Sequence, residues 1–211
     1  MRIMKIFLAI LFLIIALPVV ADTVPFYMNN IPKNSIGVYQ TDKELNIFYL
    51  PEANSSVAKK YSLDYNPEKM PDNMFAILIN EKELGMLYVT DIGDEGWVEV
   101  LYDKTTGRKG WVNTADNMQF LPWINFYNLY GRKYGLKMLK DAPKDLYVLR
   151  AKPDDLAQPI SKLNYIKQIK LTKISGNWAL VSVMDLDELP KSGWLKWRDL
   201  DGTIYVFPNV K

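Results

Sequence analysis

Two stretches of this chain share one order of apolar and polar positions. The first runs Gly96-Trp97-Val98-Glu99-Val100 to Gly110-Trp111-Val112, and the second runs Gly176-Asn177-Trp178-Ala179-Leu180-Val181 to Gly193-Trp194-Leu195. In each, a tryptophan-led apolar strand is followed about one hairpin later by a Gly-Trp-aliphatic step. A short polar stretch comes next, Asn113 to Asn117 or Lys196 to Gly202, and then an apolar strand ending in Pro122 or Pro208. Four of the six tryptophans fall in these cassettes. A spacing of about eighty to a hundred residues is too long for a solenoid unit and suits two copies of one small β domain.

The flanking pattern predicts short strands separated by turns, the signature of an all-β barrel or sandwich. Alternation begins at Gly37-Val38-Tyr39, and Leu45 to Leu50 is a strand stopped by Pro51. Glu52 to Asn73, with Pro67 and Pro71, predicts a long surface excursion, and Ser55 to Tyr61 within it a helical turn. Phe75 to Ile79, Gly85 to Thr90, Trp97 to Tyr102 and Lys109 to Asn113 follow as strands. From Lys144 the pattern restarts. Leu146 to Pro153 mirrors Leu45 to Pro51, a polar loop spans Asp154 to Asn164, Tyr165 to Thr172 alternates, and Thr203 to Phe207 closes the series.

Between the halves, Trp123, Phe126, Tyr127, Tyr130 and Tyr134 recur at spacings of three and four, which predicts a short helix with the rings on one face. Pro122 before it and Gly135 after it fit helix punctuation. Such a face either welds the two halves together or offers a ligand platform. Welding is the expectation, because amphipathic faces usually bury against a core.

Strand parity sorts the cassette residues. Val98, Val100 and Tyr102 share one face, and Trp97, Glu99 and Leu101 the other. Ala179, Val181 and Val183 mark the core side of the second copy, with Val112, Leu195 and Trp197 on core parity. Trp111 and Trp194 then point outward, and the glycine before each ring permits a close backbone approach or a bulge.

Composition narrows the chemistry. Arg2 and Lys5 precede the apolar run Ile6 to Val20, and Val19-Val20-Ala21 has a small-x-Ala cleavage pattern, so residues 1–21 read as a secretory signal cut before Asp22. Fifteen apolar residues fall short of the roughly 20 of a spanning helix. A membrane association is expected only if that segment is retained. Cleavage takes two of the 26 basic side chains and leaves them matched to the 24 acidic ones. That balance gives no electrostatic footprint for nucleic acid. The chain has no histidine and no cysteine. This excludes Ser-His-Asp and Cys-His nucleophiles, the usual zinc sites and disulfides. Neither Asp91, Asp94 and Glu95 nor Asp185, Asp187 and Glu188 has calcium-loop order, and both clusters read as solvated turn charge, as do Lys59-Lys60 and Arg132-Lys133. No catalytic residue, metal site or cofactor is expected.

The succession resembles the bacterial Src-homology-3-like (SH3b-type) domain family, and does so twice. The first copy supplies Leu45-Asn46-Ile47 and Pro51, Trp97 to Val100, Gly110-Trp111-Val112 and Met118 to Leu121. The second supplies Leu146 to Arg150 and Pro153, Trp178 to Val183, Gly193-Trp194-Leu195 and Thr203 to Phe207. The first copy departs from the family in its inserted loop and in Phe48-Tyr49. The resemblance implies an all-β protein of two tandem SH3-like β barrels: lead-in 22–35, first barrel 36–122 with the 52–73 insertion, connector 123–143 and second barrel 144–211. It implies an exported, non-catalytic binding or adaptor protein of the cell envelope, periplasmic or secreted, engaging peptidoglycan or a peptide or protein partner. A structural envelope subunit or an inhibitor of an exported enzyme is the alternative, and a carboxylate-dependent glycan-active enzyme ranks behind both. The tryptophans are expected first as packing. For a ligand contact the candidate rings are Tyr49, Trp97, Tyr102, Trp111 and Trp194, with Trp123, Tyr127 and Tyr130 in reserve.

Overall fold

The structure, a computed structural model, describes residues 31–64, 73–79, 82–114, 119–139, 142–184 and 189–210. The expected signal, residues 1–21, lies outside the described residues, as do 22–30 of the lead-in and 65–72 of the insertion. Among the described residues no helix is long and apolar enough to cross a membrane.

The described chain is mostly β and forms two antiparallel sheets. The first holds β1 (Gly37–Gln40), β2 (Glu44–Phe48), β3 (Val57–Ser62), β4 (Ile77–Ile79), β5 (Leu84–Ile92), β6 (Trp97–Asp103), β7 (Arg108–Asn113) and β8 (Phe120–Pro122). The second holds β9 (Leu136–Met138), β10 (Val148–Arg150), β11 (Pro159–Lys162), β12 (Gln168–Ser175), β13 (Trp178–Met184), β14 (Pro190–Lys196) and β15 (Val206–Pro208). The strand orders are β3-β2-β7-β6-β5-β1-β8 and β11-β10-β14-β13-β12-β9-β15, which correspond strand for strand, with β4 added on β5 in the first. Both orders are open paths. Among the described residues no pairing joins β3 to β8 or β11 to β15, so the sheets do not close as the barrel expectation requires.

Three expectations are corrected. The helical turn over Ser55 to Tyr61 is instead strand β3, which pairs with β2 through Leu45–Tyr61 and Ile47–Lys59. Val57 and Tyr61 favour strand, and Lys59-Lys60 deny the segment the apolar face that a helix needs. The second sheet begins at β9, inside the segment read as connector, because Leu136 pairs with both Ile169 and Pro208. Three residues are too few for alternation to show. Likewise the polar loop after Asp154 contains β11, an exposed strand with no buried face to announce it.

Core parity follows the sequence, but both faces of the middle strands are covered. Leu45, Ile47, Leu87, Val89, Val98, Val100 and Val112 form the interior of the first sheet. The opposite parity, Met86, Tyr88 and Leu101, joins a larger cluster with Trp123, Phe126 and Tyr127 and with Leu149, Leu171, Val181, Leu195 and Phe207 of the second half. Both sheets also break register at a threonine, Thr90 between β5 and β6 and Thr172 between β12 and β13.

The glycine of each Gly-Trp step answers a close approach. A Cβ on Gly110 would collide with Ile47 Cγ2, and one on Gly193 would lie 2.9 Å from Leu149 Cβ. These contacts seat β2 against β7 and β10 against β14. Gly110→Ala is therefore expected to lower stability by about 1–3 kcal/mol through overpacking. The measurement is a urea melt, with an unchanged midpoint contradicting the assignment.

Candidate functional site

The helical segment, residues 123–134 (α1), settles the role of the connector rings. Its middle, Tyr127–Gly131, is a π turn, and Gly135 at φ 77° ends it. Trp123 and Tyr127 are 3% and 0% exposed. Trp123 meets Phe126, Tyr127 and Phe207 edge-on, with ring centroids 5.7, 6.4 and 5.9 Å away, and Tyr88 of the first sheet at 6.3 Å. Its indole N–H donates to Ser35 O at 2.8 Å, and the Tyr127 hydroxyl donates to Val206 O at 2.5 Å. Tyr130, half-buried, stacks on Tyr134. Trp123 and Tyr127 are welds, and a ligand cannot reach them.

The lead-in completes that join. The Arg198 guanidinium donates to Lys33 O and Ser35 O at 3.2 and 3.1 Å, and Lys33 pairs with Asp201. Gly202, at φ +90°, lets Lys33 O come so close that no Cβ would fit.

Of the five leading candidates, the structure brings Tyr49 and Tyr102 together. Tyr49 follows β2, 65% exposed, in a turn fastened by the Ser55 hydroxyl, which accepts from Leu50 N–H at 2.9 Å. Tyr61 stands on β3. Tyr102 lies at a register break between Leu101 and Asp103, a β-bulge. With Ala58, Lys59, Asp103, Arg108 and Lys109 these rings line an open groove of about 580 Å³.

The charges of the groove differ in availability. Asp103 Oδ1 accepts from Thr105 N, Thr106 N and Asn73 Nδ2 at 3.0, 3.1 and 2.6 Å, which anchors the β6–β7 turn. Hydrogen bonds from Thr106, side chain first, hold its carboxyl below the usual carboxylate range. Lys109 is met by Glu99 at 3.1 Å. The Lys59 ammonium lies 5.6 Å from the centroid of the Tyr61 ring. Burial raises the Tyr61 hydroxyl above its ordinary value, so it stays a neutral donor at physiological pH.

The other candidates lie elsewhere. Trp97 is 4% exposed, edge-on to Phe48 at 5.4 Å. Trp111 is half-buried, and it closes with Trp97 and Pro51 around Gly93, whose missing Cβ would lie 3.1 to 3.3 Å from all three. Trp194 is on the second sheet, opposite Leu180 and Arg150. Trp197 is buried, its N–H donating to Gly176 O at 2.9 Å. A smaller depression of about 220 Å³ surrounds Lys196, but that ammonium is already met by Asp155 and Asp199 at 2.9 and 3.0 Å. Asp91 accepts from Ile92 N–H within its own turn, and Asp94 and Glu95 are exposed. The acidic loop Asp185 to Glu188 lies outside the described residues. Among the described residues no three carboxylates converge to hold a metal ion.

Sequence reasoning missed Tyr61 and Arg108 and read Lys59 as surface charge. The available signal was Val57 and Tyr61, two β-favouring residues at the spacing that would carry Lys59 and Tyr61 on one side of a strand. No protein-family model matches the chain, and no curated protein matches it.

Complete burial holds the Tyr127 hydroxyl well above the ordinary tyrosine value of 10.0. The folded state thus keeps a proton that the unfolded chain sheds, so stability present below pH 10.0 is lost as pH rises past it. Tyr127→Phe removes that titration and leaves Val206 O without its donor. The variant is expected to be about 1–3 kcal/mol less stable at neutral pH, with the deficit shrinking above the tyrosine range. Denaturant melts across alkaline pH check this, and a constant deficit would contradict it.

Proposed function

We propose that the protein is an exported, non-catalytic recognition protein of the cell envelope, built from two SH3-like units, that binds peptidoglycan or a peptide partner through the groove of the first. The observation that carries this reading is the convergence of Tyr49, Tyr61 and Tyr102 on one open groove. Tyrosine rings supply broad, stiff contact area at low entropy cost. Aromatic-lined grooves are the usual receivers of extended chains in small β domains.

The corresponding strand orders and the paired Gly-Trp steps support two copies of one unit. The basic and apolar residues before Ala21 support export. Asp103, the one carboxylate among the described residues that line the groove, is spent on its turn, and with no histidine or cysteine in the chain a recognition role fits better than hydrolysis.

Capture of the purified protein on peptidoglycan and on immobilised peptides tests the reading. The double variant Tyr49→Ala with Tyr102→Ala is expected to lose about tenfold in retention, the loss of one hot spot. Trp194→Ala, on the other sheet, is expected to be retained like the wild type. Equal retention of all three proteins sinks the tyrosine groove as the site.

A further inference from the structure

The tyrosine groove is not a requirement of the sheet plan, because the second sheet has the same plan without it. Phe48 pairs with Trp111 as Arg150 pairs with Trp194, which makes Ala151 the counterpart of Tyr49. The backbone agrees, since Tyr49 N–H donates to Ser56 O and Ala151 N–H to Gln158 O. Val100 pairs with Gly110 as Val181 pairs with Gly193, so Tyr102 corresponds to Val183 and Arg108 to Lys191. Val183 is buried and pairs with Lys191 in an unbroken ladder. Tyr102 instead sits at a break in register and is only half-buried, packed on the edge of the first sheet's interior. Its ring is carried over Gly110, whose absent Cβ would lie 3.6 Å from the ring edge. The positions of Tyr49 and Tyr102 thus carry rings in the first half and none in the second.

The walls of the groove carry a charge excess. Asp103 is consumed by its turn and Lys109 by Glu99. The side chains of Arg108 and Lys59 are exposed and enter no ion pair or hydrogen bond among the described residues. Arg108 acts on the groove only through its field, on Asp103 and on Tyr61. A guanidinium fork is matched to a carboxylate, which it can hold bidentately. β3 supplies Ala58, Lys59 and Tyr61 to the groove and ends the strand order, so an extended backbone laid along it meets main-chain donors and acceptors. The volume lies within the range of about 300–1,000 Å³ usual for ligand clefts.

We infer that this groove takes an acidic peptide segment in extended form, its carboxylates held by Arg108 and Lys59 and its peptide planes laid on Tyr49, Tyr61 and Tyr102. The inference rests on the recognition role proposed above and adds the ligand's chemical class.

The test is fluorescence anisotropy of labelled peptides with the purified protein at low and high ionic strength. The probes are an alternating Gly-Glu peptide, its Gly-Gln isostere and a Gly-Lys peptide of equal length. The Glu peptide is expected to bind about tenfold tighter than the Gln peptide, as one charged hydrogen bond is worth that factor or more. The preference is expected to fade at high salt. Arg108→Gln is expected to abolish it and Lys59→Gln to reduce it, while Lys170→Gln, on the exposed side of β12, leaves it intact. Both groove cations are exposed, so these variants should fold, which urea melts verify. Should one of them not fold, the other still decides. Equal binding of Glu and Gln peptides by the wild type, or an undiminished preference in both charge variants, overturns the inference. Capture on peptidoglycan that needs the tyrosines but ignores Arg108→Gln and salt overturns the acidic-peptide class and leaves the recognition role standing. Failure to bind either peptides or peptidoglycan overturns both.

Discussion

Trp123, Phe126 and Tyr127 lie between two sheets, and neither sheet could bury them alone. The first supplies Met86, Tyr88 and Leu101 on one side, and the second supplies Leu171, Val181 and Phe207 on the other. The polar atoms of these rings also have partners on both sides. The Trp123 indole reaches Ser35, and the Tyr127 hydroxyl reaches Val206. A buried donor left unmade costs about 1–3 kcal/mol, so these bonds fix the geometry that the apolar contacts only favour. The halves are consequently one packed body among the described residues, and the segment between them is core.

That join restricts where a ligand can be received. β5 and β6 have one face in the interior of the first sheet and the other in the shared cluster. Accessible on the first sheet is the flank where β3 and the β6–β7 hairpin meet, and there the exposed Tyr49, the half-buried Tyr61 and Tyr102 and the exposed Lys59 and Arg108 collect. The Trp97 and Trp111 rings, prominent in the sequence, are occupied with holding Pro51 and the Gly93 turn. Tyr102 stays on the side of Val98 and Val100, packed partly against that interior, and its ring reaches the groove from there.

Much of the fold was legible from residues alone. The Trp-led strands β6 and β13, their hairpin partners and the glycines at 110 and 193 all lie where alternation and the Gly-Trp step put them. The aromatic spacing of three and four located α1 and its buried face. Three strands escaped. β9 has three residues, β3 and β11 bury almost nothing, and their pairing is supplied by partners distant in sequence. Closure into barrels was a property of the resemblance, and the open pairing paths do not share it.

For the site, the sequence offered rings without saying which would meet. Tyr49 and Tyr102 were among the candidates, but so were Trp97, Trp111 and Trp194, and nothing in composition separates a covering ring from a presented one. By itself the sequence determined the all-β class, the like order of strands in the two halves, the core faces and the absence of histidine and cysteine chemistry, because each is written in local periodicity or residue type. The tertiary structure alone decided that Tyr61, Lys59 and Arg108 stand beside Tyr49 and Tyr102. That grouping comes from strands paired across long intervals, whose register is set by tertiary partners and not by any local pattern.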